Sequence, residues 1–237
     1  MVRPPAVLDF RSMDDVVSRA SALRAYAEET ATCERCALAA TRTQVVFGSG
    51  DPDADLMFVG EAPGFHEDQQ GVPFVGQAGK LLEKLLGEIG LQRSDVYIAN
   101  VLKCRPPGNR DPLPAEIESC EPHLFRQIEL IQPTLVATLG NFATKLLSGS
   151  PLGITRVHGV EQEVTLGGLR VTLYPIYHPA AALYTPAMLK VLEEDFRRIP
   201  GLLERVAGVP PADAPASPQL AEPVAQGSEP AAQLGLF

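Results

Sequence analysis

Asp55-Leu56-Met57-Phe58-Val59-Gly60 is a short apolar run that stops at glycine, and after a loop it is followed by Gln77-Ala78-Gly79-Lys80-Leu81-Leu82-Glu83-Lys84-Leu85-Leu86-Gly87-Glu88-Ile89-Gly90. In the second stretch Leu81, Leu82, Leu85, Leu86 and Ile89 recur at helical spacing. The pair reads as strand, loop, helix. The same pattern returns twice downstream. Val96–Cys104 reads as a strand, a Pro-rich loop follows, and a helix is predicted from about Pro114 to Ile131, with Pro114 suited to a first helical turn. Thr134–Gly140 reads as a third strand, followed by a short helix with Asn141 as its N-cap and Gly149 as its stop.

Outward from these units, a helix is predicted over Ser12–Glu29, a hairpin across Gly167-Gly168, and a closing helix near Ala187–Ile199. Strands alternating with helices imply an α/β fold, a three-layer α/β/α sandwich with a mostly parallel central sheet. Such a sheet receives ligands at the carboxyl ends of its strands. With 237 residues and 45% hydrophobic content the chain can bury one sizeable core, so one domain is expected over residues 1–208. Residues 209–237 are rich in Pro, Ala, Ser and Gln and lack an aromatic until the last residue, so they are expected to form a disordered tail.

No apolar run approaches the ~20 residues that span a bilayer, and the N-terminal residues lack the apolar core of a secretory signal, which together predict a cytoplasmic protein without a membrane partner. In a reducing compartment the four cysteines are poor disulfide candidates. Cys33 and Cys36 form a Cys-x-x-Cys pair, and Cys104 and Cys120 can complete a four-thiolate set. Spacing alone leaves zinc and a [4Fe–4S] cluster equally open.

The strand ends carry the remaining chemistry. Gly60-Glu61-Ala62-Pro63-Gly64 allows close backbone approach to a ligand. Asn100 ends the second strand with an amide that offers a donor and an acceptor, and His178 follows the last strand in Tyr177-His178-Pro179-Ala180. Phe74 lies in the first strand–helix loop. Each has an ordinary structural reading, a turn, a cap or a core ring. Their convergence on one crevice suits a flipped nucleobase, with Phe74 on its face and Asn100 on its edge. The formal net charge of −9 speaks against a broadly basic DNA-binding surface; setting aside residues 201–237, which hold four acids and one base, still leaves −6. A DNA face is therefore expected to be local. Lys103, Arg105 and Arg110, in the loop after the Asn100 strand, are its candidates.

The runs GEAPG…ED…GVPFVGQAGKLL, NVLKCRPPGNRDPLP and YHPAA, together with the four cysteines, resemble the motif set of family 4 uracil-DNA glycosylases over about residues 30–200. The resemblance implies a DNA repair enzyme of base excision that removes uracil from single- or double-stranded DNA and leaves an abasic site. It implies that Cys33, Cys36, Cys104 and Cys120 hold a [4Fe–4S] cluster. It gives Gly60, Glu61 and Ala62 to the uracil-holding loop and Phe74 to stacking. Asn100 would accept from uracil N3–H and donate to O4. His178 would stabilise charge on the departing base, and Glu67 would lie near the C5 edge, where it excludes a methyl group. In the best-known members of the superfamily the position of Ala62 is an aspartate that orients water. Alanine cannot do this, so either Glu61 or a nearby group handles the water, or leaving-group stabilisation carries most of the catalysis. The chain lacks the Lys-Arg-Arg-Ile-His insertion that marks relatives which hold uracil-DNA with little turnover. A non-enzymatic nucleic-acid module with a structural zinc is the alternative from another class. The enzyme is expected to act as a monomer. Its last residues, Gln233-Leu234-Gly235-Leu236-Phe237, are similar to the peptide by which bacterial repair and replication proteins engage the sliding clamp, with Gln233, Leu234, Leu236 and Phe237 as the contact residues.

Overall fold

The computed structural model describes residues 13–183 and 185–206. The predicted tail and its clamp-like peptide lie outside them. The described chain runs through helix α1 (Met13–Thr30), strand β1 (Ser49–Gly50), β2 (Leu56–Gly60), α2 (Phe65–Gln70), α3 (Gln77–Glu88) and β3 (Tyr97–Asn100). It continues with α4 (Pro114–Ile131), β4 (Leu135–Leu139), α5 (Asn141–Ser148), α6 (Ile154–Val157), β5 (Gln162–Leu166), β6 (Leu169–Ile176), α7 (Pro179–Ala182) and α8 (Pro186–Val206).

The six strands form one sheet in the order β1-β3-β2-β4-β6-β5. The four inner strands are parallel, and β1 and β5 close the two edges antiparallel. The mostly parallel sheet expected from the alternation is therefore present. Successive residues of a strand point to opposite faces, and burial follows that period. Met57, Val59, Ala99, Val136, Val171 and Leu173 pack with Leu23 of α1, Leu124 and Ile128 of α4 and Leu147 of α5. Leu56, Phe58, Ile98, Leu135, Ala137 and Tyr174 pack on the other side with Leu82 and Leu85 of α3 and Phe196 of α8. These two cores are the two interfaces of a three-layer sandwich.

β2 has β3 on one side and β4 on the other, so the chain reverses its direction of travel across the sheet between them. That is the switch point at which open α/β sheets bind ligands. Gly60, Asn100 and His178 end or directly follow β2, β3 and β6, and all emerge on this edge.

Three local expectations change. The strand expected over Val96–Cys104 spans only Tyr97–Asn100, because the chain bends inward from Val101. Gly140, not Asn141, takes the N-cap position of α5. Asn141 instead begins the helix, and its Oδ1 accepts a 2.8 Å hydrogen bond from the Ile154 N–H, tying α5 to α6. Gly149 does stop α5, in the left-handed conformation (φ 63°). The closing helix runs past the expected Ile199 and through Pro200 to Val206. Leu192, Phe196, Ile199 and Leu202 form one buried stripe, and burial of Leu202 beyond the proline offsets the lost backbone hydrogen bond.

Candidate active site

Phe74 carries the crevice wall, and its backbone is held in a conformation that non-glycine residues rarely adopt (φ 55°). Such a residue costs on the order of 1–3 kcal/mol unless its surroundings over-determine it. Here they do. Arg93 donates from Nη1 to the Phe74 carbonyl (2.9 Å) and from Nη2 to the Pro73 carbonyl (2.7 Å). Glu67 Oε1 accepts from the Val75 and Gly76 N–H groups at 2.9 and 2.8 Å. The first turn of α3 presses against the same point, and a Cβ on Gly79 would collide with the Phe74 carbonyl.

The Phe74 ring is buried and lies 5.5 Å from the His178 ring, tilted by 28°. His178 Nδ1 accepts from the Ala180 N–H (3.1 Å), so the neutral ring carries its proton on Nε2. Burial pushes the His178 pKa down to about 4, against a smaller upward pull from Glu67. At neutral pH the side chain is thus an uncharged N–H donor with a set tautomer.

Asn100 is 2% exposed, and its Oδ1 is a buried acceptor with no hydrogen-bond partner. A buried polar atom without a partner costs about 1–3 kcal/mol, and a native structure rarely leaves one without reason. A Cβ on Gly60 would collide with this oxygen and come within 2.7 Å of Phe74 Cζ. Glycine at position 60 therefore leaves room beside both groups. Half-buried Glu61 follows, its carboxyl raised above the ordinary range by burial and then by the charge of Asp111. Ala62 is half-buried against the α1/α4-side core.

The basic loop departs from expectation. Lys103 does not face solvent: it is 1% exposed, its Nζ donates to the Asn100 carbonyl at 2.8 Å and to Gln127 Oε1, and burial lowers its pKa to about 8. β3 ends in a turn that folds Lys103 under the strand, where its ammonium meets oxygen acceptors in place of water. It is a strut of the crevice floor and cannot reach a phosphate. Arg110 is on the surface, but both of its terminal nitrogens are engaged by Glu116, at 2.9 and 2.6 Å. Of the three, half-buried Arg105 is the one without a carboxylate partner among the described residues; its Nε donates to Asn109 Oδ1 at 2.6 Å.

The four cysteines come from the loop after α1, the loop after β3 and the middle of α4, and they gather on the α1/α4 side of the sheet. Burial pushes the Cys104 thiol up to about 11 and raises Cys120. Cys36 and Cys120 lie close enough to act electrostatically on Cys104, and Cys33 and Cys36 on Cys120. Nitrogen groups face the sulfurs: the Lys103 N–H and Cys120 Sγ (3.2 Å), Arg42 Nη1 and Cys104 Sγ (3.6 Å), and His123 Nε2 and Cys33 Sγ (3.3 Å). Among the described residues, no three His, Cys, Asp or Glu side chains close tightly enough to hold a single metal ion. The donor set nevertheless fits a group that takes four thiolates and N–H···S hydrogen bonds.

Arg93, Gly79, Gln127 and the strut role of Lys103 were not legible in the motifs. Arg93 sits in a short turn with no pattern around it, and Gln127 is one polar position on an amphipathic helix.

The family described as the uracil DNA glycosylase superfamily matches residues 47–198. Three similar proteins are each named type-4 uracil-DNA glycosylase. That of Sulfurisphaera tokodaii is 49% identical over 73% of this chain and 80% of its own. That of Archaeoglobus fulgidus is 46% identical over 79% and 92%, and that of Saccharolobus solfataricus is 48% identical over 73% and 82%. With the unsatisfied Asn100 amide, the neutral His178 donor and the Phe74 wall on one strand-end crevice, and with these matches spanning it, the chain belongs to the type-4 uracil-DNA glycosylases of the uracil DNA glycosylase superfamily.

Proposed function

We propose that the enzyme removes uracil from DNA by hydrolysing its N-glycosidic bond. The observation that carries this reading is the buried, unpartnered Asn100 Oδ1 beside Gly60 and Phe74. Uracil presents N3–H to an acceptor and O4 to a donor, which the Asn100 amide matches; cytosine presents the opposite pair. Phe74 would cover the base face. Negative charge develops on the base as the bond to C1′ breaks. The uncharged His178 Nε2–H is suited to meet that charge at O2, a contribution of roughly 2.7–4 kcal/mol by analogy with oxyanion-hole donors. Glu61, with its raised pKa, would accept a proton from the attacking water. Glu67 has one oxygen occupied by the 75–76 turn, so its part is first to hold that turn; its other oxygen would lie toward the C5 edge.

Cys33, Cys36, Cys104 and Cys120 would hold a [4Fe–4S] cluster. Such a cluster would cross-link the α1 loop, the β3 exit and α4, and it would draw Lys103 and Asn100 into place through the Cys120 contact. Arg105 would supply a phosphate contact. Residues 233–237, with Gln233, Leu234, Leu236 and Phe237, would engage the sliding clamp, and the enzyme would act in the cytoplasm as a monomer. The central test is a glycosylase assay on oligonucleotides bearing uracil, thymine or hypoxanthine. Release of uracil alone is expected; no release of uracil refutes the reading. Iron and sulfide analysis of anaerobically purified protein tests the cluster, since a colourless zinc protein would exclude it.

A further inference from the structure

We propose that Phe65, backed by the Arg105 guanidinium, is a stacking subsite for an unpaired nucleobase next to the excised uracil, so that the enzyme engages single-stranded DNA more tightly than duplex. The inference rests on the uracil-excision reading and adds to it a second contact with the strand. Phe65 opens α2 directly after the Gly60–Gly64 loop, yet it is 52% exposed, unlike the buried Phe58 and Phe74 on either side of it in sequence. Arg105 lies in the loop that leaves β3, the strand beside β2, and places its Cζ 5.2 Å from the Phe65 ring centroid. His66 sets its ring 5.5 Å away, nearly perpendicular at 78°. The two loops that shape the uracil crevice thus also build an aromatic surface at its rim, oriented by a cation and an edge-on imidazole.

An exposed ring costs hydrophobic free energy in the free protein, and one held beside a guanidinium is already ordered for stacking. The Arg105 Nε is engaged by Asn109, which fixes the side chain while its terminal nitrogens remain for a phosphate. Aromatic platforms with adjacent positive charge are how proteins track single strands without reading sequence. In a duplex, the base beside a flipped uracil stays paired and stacked within the helix. In a single strand it is free to turn onto Phe65. The chain carries a net charge of −9, and a stacking contact supplies affinity that does not depend on charge.

The test uses the full-length protein and single-stranded oligonucleotides in which a fluorinated, cleavage-resistant deoxyuridine is flanked on its 5′ or 3′ side by 2-aminopurine, with the matching duplexes in parallel. Wild type is expected to quench the 2-aminopurine on one side of the uracil in the single strand. Phe65→Ala should abolish that quench and weaken single-strand binding by about five- to 150-fold, the range of base–aromatic stacking, with a smaller loss on duplex. Phe65→Trp should restore both. Arg105→Gln should weaken binding and lower the slope of log K against log salt by about one. A quench that survives in Phe65→Ala, or equal losses on single strand and duplex, overturns the subsite. Failure of wild type to excise uracil at all would instead count against the functional reading, because the fluorescence readout needs no cleavage.

Discussion

The crevice at the strand ends and the four-cysteine cluster on the α1/α4 side are both buried and polar, and they handle their polar atoms in opposite ways. Around the cysteines, sulfurs face nitrogen groups of Lys103, Arg42 and His123, and burial raises the Cys104 and Cys120 thiols. In the crevice, Asn100 Oδ1 has no partner and His178 presents a neutral N–H. On the function proposed above, the first arrangement would stabilise the fold once its ligand is in place, and the second would stay unsatisfied until substrate arrives. Lys103 joins them, through its N–H to Cys120 and its Nζ to the Asn100 carbonyl.

If that division holds, crevice variants should change chemistry and leave stability nearly untouched. His178→Ala and Asn100→Ala are each expected to lower single-turnover uracil excision by about 10²–10³-fold, the loss seen when one oxyanion-type donor is removed. Removing Asn100 Oδ1 breaks no hydrogen bond in the free enzyme, so its melting temperature should stay within a few degrees; a collapse in stability would show that the amide is structural. Cysteine variants should do the reverse. Cys104→Ala is expected to cost at least about 2 kcal/mol, or roughly 4–8 °C in Tm for a domain of this size, measured beside metal content. A variant equally stable and fully loaded would remove Cys104 from the site.

Lys103→Met tests the link. It fills the same space but leaves the Asn100 carbonyl and Gln127 Oε1 without their donor, and a net hydrogen bond of about 1–1.5 kcal/mol predicts roughly a tenfold fall in excision. Cluster absorbance should persist. Loss of absorbance in step with activity would reduce Lys103 to a packing residue. The smallest effect is on pH dependence. Glu61 must be deprotonated to accept a proton, and its pKa is raised, so kcat should fall as pH drops through a value above the ordinary carboxylate range. His178 stays neutral until pH falls to about 4 and should add no limb above that. Glu61→Gln should lower the plateau and remove this limb; an unchanged limb would exclude Glu61 as the base.

Much of this was legible in the chain. Asp55–Gly60, Val96–Cys104 and Thr134–Gly140 read as strands because each is a short apolar run, and strands form at Leu56–Gly60, Tyr97–Asn100 and Leu135–Leu139, the second ending before Val101–Cys104 because that segment turns inward. The α4 helix was bounded correctly by Pro114 and Ile131. Lys103 was misread because a lysine among Arg105 and Arg110 looks like part of a basic loop. Its burial depends on Gln127, 24 residues away on α4. Asn141 was misread as a cap because its true partner, the Ile154 N–H, is 13 residues further on.

Periodicity and glycine placement act over a few residues, so the sequence by itself determined the alternating strands and helices and the edge at which Gly60, Asn100 and His178 emerge. Only the tertiary structure decided which polar atoms are satisfied. That Asn100 keeps a free acceptor, that His178 is neutral with its proton on Nε2, that Arg93 and Gly79 hold Phe74 at a positive φ, and that Lys103 turns inward all depend on contacts between distant segments. Desolvation and hydrogen-bond satisfaction are properties of the packed interior, and no local run of residues encodes them.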